Sequence, residues 1–196
     1  KHILMKKTFK KLFALALIVF SSYSFTNLLL EKTEINLDES NITWKGYKVT
    51  GSHEGTIKFK SGTLTFNDGT LVDGAFSMDM NSIKCTDLEG GSAGKLEGHL
   101  KSKDFFGTES HPNAMLQFKE VTMTGENNYR VKGDLTIKGI TNNIDFDFVV
   151  DGNNATAAIK IDRTTYDIKY GSSSFFEGLK DKAIYDDFDI NVNLKF

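Results

Sequence analysis

Ser52, His53 and Glu54 stand in a row and carry the residue types of a nucleophile, a base and an acid. Hydrolytic chemistry needs those three groups in mutual hydrogen-bond contact. Neighbours on a strand point to opposite faces, so this run does not assemble a triad by itself. The chain has no Gly-x-Ser-x-Gly elbow to present a serine at a sharp turn. His99, Asp104, Glu109 and His111 have metal-ligating types. Their spacing matches neither His-x-His nor His-Glu-x-x-His, and no cysteine pair accompanies them. They read as surface or packed polar residues.

The run Gly90-Gly91-Ser92-Ala93-Gly94 lacks the lysine of a phosphate loop and reads as a flexible connection. Cys85 is the single cysteine and has no partner thiol, so it reads as a small buried or half-buried residue. Arg163 is one of only two arginines. It follows Ile159 and Ile161 on the phase of inward side chains. There a guanidinium either holds a phosphate or carboxylate head group or pairs with Asp162, Asp167 or another acid. The pairing is the stronger reading. No catalytic residue, metal or cofactor is expected.

The elements that must position these groups are strands. Apolar and polar residues alternate over 57–66, with Ile57, Phe59, Leu64 and Phe66, and over 71–80, with Phe76, Met78 and Met80. The alternation returns at Leu135 and Ile137, at Ile144, Phe146 and Phe148, and from Phe188 to Phe196. Period two places one face of each strand in an apolar interior and the other in water. Asn67-Asp68-Gly69 is a hairpin signal, because a tight turn needs positive φ. Residues 125–128, 139–143 and 151–154 turn the chain in the same way. Many antiparallel strands joined by tight turns predict an all-β sandwich or barrel.

Two segments break the rhythm. Leu96 and Leu100 are four apart and predict a helical turn or two, and Phe105 and Phe106 follow as a pair. In 172–183, Ser174 is placed to cap a short helix carrying Phe175, Phe176 and Leu179, with Glu177 three residues after the cap. Such segments would close an end of a barrel or cover its mouth. The inward set Phe59, Phe76, Met78, Phe118, Leu135, Ile137, Phe146, Phe148 and Ile159 is either a filled core or the wall of a container. Periodicity leaves both open.

At 196 residues the chain holds one ordinary domain and a leader. A hydrophobic fraction of 39% suits a sheet with one wet face. The net charge of -2, with acids and bases interspersed, offers no stripe for nucleic acid. Lys6, Lys7, Lys10 and Lys11 precede the apolar run 12–20, and Ser21, Ser22 and Ser24 follow it. That is the order of a secretory signal peptide, expected over 1–24 with Met5 as its start. Residues 25–34 read as a tether, and the barrel domain as 35–196.

Six phrases in order resemble the YceI-like family of exported, lipocalin-like, polyisoprenoid-binding proteins. They are Trp44-Lys45-Gly46 with residues 51–55, the phrase 74–83 ending Met80-Asn81-Ser82-Ile83, and the run 96–106 with Leu100-Lys101-Ser102-Lys103-Asp104-Phe105-Phe106. His111-Pro112-Asn113-Ala114 with Phe118, residues 133–141, and Arg163-Thr164-Thr165-Tyr166-Asp167-Ile168 complete them. The closing strand from Asp186 to Leu194 fits the same pattern. Lys138 departs from the family, which often has His at that place.

The resemblance implies an antiparallel lipocalin-like β-barrel, with short helical segments near its ends, holding a long isoprenoid or other long-chain lipid. The expected protein is a non-enzymatic periplasmic or secreted carrier, often a homodimer, that meets a membrane only as the source of its ligand. Phe59, Phe76, Met78, Phe118, Leu135, Ile137, Phe146, Phe148, Ile159 and Arg163 are the expected ligand contacts. The other reading is a structural or stress-response module with a filled barrel and a protein partner.

Overall fold

The structure, a computed structural model, describes residues 30–196. The expected leader at 1–24 and the first part of the expected tether lie outside the described residues. Among the described residues there are nine strands: β1 (Leu30–Glu34), β2 (Asn41–Lys48), β3 (Gly51–Asn67), β4 (Thr70–Cys85), β5 (Asn113–Gly125), β6 (Asn128–Ile137), β7 (Ile140–Asp151), β8 (Asn154–Asp162) and β9 (Ile184–Lys195). One α-helix, α1 (Gly90–Lys101), lies between β4 and β5.

Every pairing is antiparallel. From β4 to β9 each strand pairs with the next, β9 pairs with β2, β2 with β3, and β3 with β4. The circuit closes, so eight strands form the barrel expected from the alternation. β1 pairs with the far half of β3, in line with β2, which pairs with the near half. Residues 30–34 are therefore a strand rather than a tether.

Alternation runs undisturbed in β6 to β8. Tyr129, Val131, Leu135 and Ile137 of β6 are buried, as are Phe146, Phe148 and Val150 of β7 and Ala155, Ala157, Ile159 and Ile161 of β8. Their neighbours form ladders outside, where Arg130 pairs with Asp145 and Asp147 and Lys132 with Glu120. In the two longest strands the phase slips. Phe59 and Leu64 are five apart yet both buried, because the β3–β4 register shifts between Phe59 and Ser61. Met80 and Ile83 are three apart and both buried, where Ser82 Oγ donates to the Asp79 carbonyl at 2.5 Å and accepts from Lys58 N at 2.8 Å. Such bulges bend a strand and increase its twist, which helps a sheet close. At Asp68 and Gly69 φ is 48° and 77°, the hairpin geometry that Asp-Gly supplies.

The meander sends the hairpins at 67–70, 125–128 and 151–154 to one end, together with Phe196. The other end collects the β2–β3 turn, α1 and residues 163–183. Here two expectations need correction. The glycine-rich run 90–94 is not a loose connection: it forms the first half of a twelve-residue helix. The helix expected after Ser174 does not form. Residues 172–179 are turns, and only Lys180–Lys182 winds into a short 3-10 turn. Ser172, buried there, uses its own Oγ to accept from Ser174 N, a side-chain to backbone bond that competes with helix formation.

Candidate functional site

Two adjoining cavities occupy the barrel beneath the helical end. The main one encloses about 780 Å³ of unfilled space, its open end included, of which about 90 Å³ admits the centre of a water-sized sphere. Phe59, Phe76, Met78, Phe118, Leu135, Ile137, Phe146, Phe148 and Ile159 all line it. The common strand phase thus brings nine separated residues to one surface. Every other lining side chain is apolar as well, from Ile42 and Ile57 through Ala157 and Leu194.

Aromatic contacts set the shape of this wall. Phe76 and Phe118 stand 5.7 Å apart between centroids, and Phe118 meets Phe146 at 5.9 Å and Phe148 at 5.6 Å, edge to face. Gly74 makes room for the group. A Cβ there would sit 2.6 Å from the Phe118 ring.

The second cavity, of about 770 Å³ open end included, lies toward α1. It shares Ile57, Phe106 and Phe188 with the first, so those three side chains form the partition between them. Phe106 and Phe188 meet edge to face at 6.4 Å. The helix is fixed over this cavity by Glu97, which accepts from Cys85 N at 3.1 Å and pairs with Lys84 at 3.3 Å. It thereby satisfies the edge of β4 beyond its last pairing with β5. Leu100 is buried on the inner side of the helix.

Arg163 takes the structural role. It is 2% exposed. Nε donates to the Tyr185 carbonyl at 3.0 Å, Nη1 to the Ile168 carbonyl at 2.6 Å, and Nη2 to the Ile184 carbonyl at 3.0 Å. Asp186, rather than Asp162 or Asp167, is the paired acid, at 3.5 Å. Burial lowers the guanidinium pKa and the Asp186 charge raises it. The expected head-group clamp is corrected on this point: Arg163 lines the second cavity, but its donors hold 168 and 184–186 together. Asp186 is also held below the usual carboxylate range, since hydrogen bonds from Ser172 and Ser174 and the Arg163 charge outweigh its burial.

Ser52, His53 and Glu54 do not assemble. Glu54 pairs with Lys45 at 3.3 Å, and His53 Nδ1 meets Asp87 Oδ2 at 2.8 Å. The other oxygen of Asp87 accepts from the Cys85 thiol at 3.1 Å and from Glu54 N. Burial, then this bond, pushes the Cys85 pKa up. A thiol held as a donor is not a nucleophile. Asp87 drops to about 2, because hydrogen bonds from Cys85, His53 and Glu54 N outweigh the cost of burial.

Among the described residues no three His, Cys, Asp or Glu side chains gather around a metal-sized space. His99 packs edge-on against Phe105 and Tyr170, at 5.5 and 4.5 Å, and lines the second cavity. His111 stands against Gly139. Lys138, at the place where a histidine was the family expectation, donates to the Asp167 carbonyl at 2.9 Å. Sequence reasoning missed His99 as a cavity residue. The signal available was its place between Leu96 and Leu100 on one helix, just before the Phe105-Phe106 pair.

The comparisons with known proteins agree with this architecture. The YceI-like domain matches residues 34–196. An UPF0312 protein of Photorhabdus laumondii is 37% identical over 87 residues, covering 44% of this chain and 43% of that protein. An UPF0312 protein of Staphylococcus aureus is 40% identical over 88 residues, covering 39% and 48%. The matches thus span less than half the length of these relatives. Among solved structures, Burkholderia cenocepacia BcnA superposes with a TM-score of 0.66 at 20% identity, over 82% of this chain and 98% of that one. A polyisoprenoid binding domain from Saccharophagus degradans gives 0.60 at 13% identity, over 84% and 97%. At such identities these two likenesses speak for the fold alone.

Proposed function

The chain belongs to the YceI-like family, and we propose that it is an exported, non-enzymatic carrier of one long isoprenoid or similar long-chain lipid. The observation that carries this reading is the main cavity, whose every lining side chain is apolar. The family match and the fold shared with a polyisoprenoid binding domain support a lipid as the ligand class. Burial supplies the affinity. At about 0.8 kcal/mol per methylene, ten buried methylenes contribute about 8 kcal/mol. That offsets the lower part of the association cost, about 4–15 kcal/mol. A wall without polar groups holds the tail by its area and discriminates little along it.

Phe59, Phe76, Met78, Phe118, Leu135, Ile137, Phe146, Phe148 and Ile159 are the proposed tail contacts. Export to the periplasm or the medium is supported by the order of residues 6–24. It is tested by the intact mass of the secreted protein, which should place the mature N-terminus near Phe25; a product retaining residues 10–20 contradicts it. Homodimerisation, implied by the family resemblance, belongs to the same proposal and is read by light scattering.

The carrier reading is tested by loading. Protein stripped of lipid by organic solvent and refolded should take up one molecule of an added long isoprenoid per chain. Failure to take up any long-chain lipid would favour the structural module with a filled barrel. The narrowness of the space that admits a water-sized sphere, about 90 Å³, is the observation on that side. The carrier reading requires the wall to open as the tail enters.

A further inference from the structure

The carrier reading says where a tail lies and leaves its polar end unplaced. The main cavity offers that end nothing, since it has no polar side chain in its wall. The second cavity differs. Tyr47, His53, His99 and Arg163 line it, with Lys48 and Asp187 of opposite charge. Most of these groups are already engaged. Tyr47 Oη donates to Asp189 at 2.6 Å, His53 is paired with Asp87, and Arg163 is spent on three carbonyls and Asp186.

His99 stands apart as the lining residue with a buried polar atom left unsatisfied. Its Nε2 is shut off from solvent and has no hydrogen-bond partner. Among the described residues only Asn67 Oδ1 shares that condition, and Asn67 sits in the β3–β4 hairpin outside the lining of either cavity. An orphaned buried polar atom costs a protein about 1–3 kcal/mol, so each such atom calls for an explanation.

We propose that the second cavity receives the polar end of the lipid, that His99 Nε2 is its hydrogen-bond partner, and that the tail passes between Phe106 and Phe188 into the main cavity. The proposal rests on the carrier reading and adds the chemistry of the ligand's end. That end is an uncharged oxygen group: a hydroxyl, a ketone or quinone carbonyl, or an amide. An imidazole nitrogen either donates or accepts according to its tautomer, so it serves each of these. A phosphate or carboxylate is disfavoured, because no cationic cradle is left over. Arg163 is neutralised by Asp186, and Lys48 is the one other lysine or arginine of the lining, in the same wall as the carboxylate of Asp187. Ile57, Phe106 and Phe188 border both spaces, so the proposed path for the tail runs past the Phe106–Phe188 contact.

Binding of geranylgeraniol, of its hydrocarbon counterpart lacking the hydroxyl, and of geranylgeranyl phosphate to the delipidated full chain tests this. His99→Phe keeps the edge contacts with Phe105 and Tyr170 and removes the nitrogen. It should weaken geranylgeraniol by about 3- to 10-fold, the worth of one net hydrogen bond, and leave the hydrocarbon within about twofold. The ligand-free variant should melt at the same temperature as wild type or higher, because the orphaned atom is gone. His99→Gln should restore part of the alcohol affinity. Equal loss of alcohol and hydrocarbon would make His99 a packing residue and overturn the proposal. So would unchanged alcohol binding, or phosphate binding far tighter than alcohol in wild type. If His99→Phe does not fold, the nitrogen-15 shift of His99 Nε2 in wild-type protein decides. It should move on loading with geranylgeraniol and stay with the hydrocarbon; the same shift with both overturns the proposal. Wild-type protein that binds none of the three would defeat the carrier reading itself, an outcome distinct from failure to discriminate among them.

Discussion

The two ends of this barrel are built from the same alternation and come out differently. At the hairpin end Leu64 and Val131 are 0% exposed and Leu71 and Ala155 1%, and Phe66 stacks on Phe196 at 5.7 Å. None of these six side chains lines either cavity. At the helical end the strands carry equally apolar residues, yet two spaces stay open. The cause is local. Strand β4 runs on past its last pairing with β5, at Asp79, and α1 covers the gap instead of a strand. Leu96, His99 and Leu100 of α1, with Phe105 and Phe106 after it, line the second cavity, and Phe106 also reaches the main one. Inward-facing apolar residues thus make a filled core at the hairpin end and leave open space beneath the helical end.

The sharpest way to break this comparison is a charge in the container. Phe146 is 4% exposed and contacts Phe118 and Phe148. Phe146→Asp should abolish folding or lipid retention, since an unpaired buried carboxylate costs many kcal/mol unless it takes up a proton. Unchanged melting temperature and unchanged lipid content would place that side chain outside the cavity. Next in size is a truncation at the filled end. Leu64→Ala should lower stability by about 2–5 kcal/mol in chemical denaturation while the folded protein keeps its lipid. Loss of lipid at constant stability would mean that the cavity reaches the hairpin end.

Ala157 marks the boundary from the other side, since it lines the main cavity at 9% exposure. Ala157→Trp should displace the tail and leave the delipidated fold largely intact, with lipid content and melting temperature measured together. A loss of about 1–3 kcal/mol in protein that never held lipid is what overpacking a filled core produces, and it would turn the container into a core.

The smallest effect is one of pH. Asp87 sits near 2 in the folded protein against an ordinary value of 3.8. A depressed carboxylate contributes stability above its unfolded pKa and loses it as pH falls through the folded value. The contribution is therefore complete above about pH 4–5 and fades toward pH 2. Thermal melts of wild type and Asp87→Asn should converge across that window. A constant gap between them would mean that the His53 and Cys85 bonds do not hold the charge.

Much of this comparison was legible in the chain. The inward set Leu135, Ile137, Phe146, Phe148 and Ile159 lies on strands with an unbroken period of two, and a two-residue rhythm is visible without a partner. The hairpins at 67–69, 125–128 and 151–154 were legible because Asp, Asn and Gly accept the φ values that turns demand. The same rule hid the slips. Phe59 and Leu64 belong to opposite faces of any regular strand, and only the β3–β4 register shift brings both inside.

The lid was the least legible part. Gly90, Gly91, Gly94 and Gly98 are poor helix formers, and α1 stands through tertiary contacts, with Glu97 on β4 and Leu100 in the interior. Residues 172–179 erred the other way: a capping pattern was present, and the Ser172 hydroxyl took the backbone bond instead. Arg163 was correctly phased inward, but its three carbonyl partners come from residues 168, 184 and 185, which no local pattern announces.

The claim that the helical end is a container is tested most directly by weighing what it contains. Native mass spectrometry of the full chain, purified without detergent and compared before and after organic extraction, gives the answer. The account predicts one long-chain lipid per folded chain, removed by extraction and regained on adding an isoprenoid. Protein that carries no lipid, regains none and melts identically with and without added isoprenoid would contradict it.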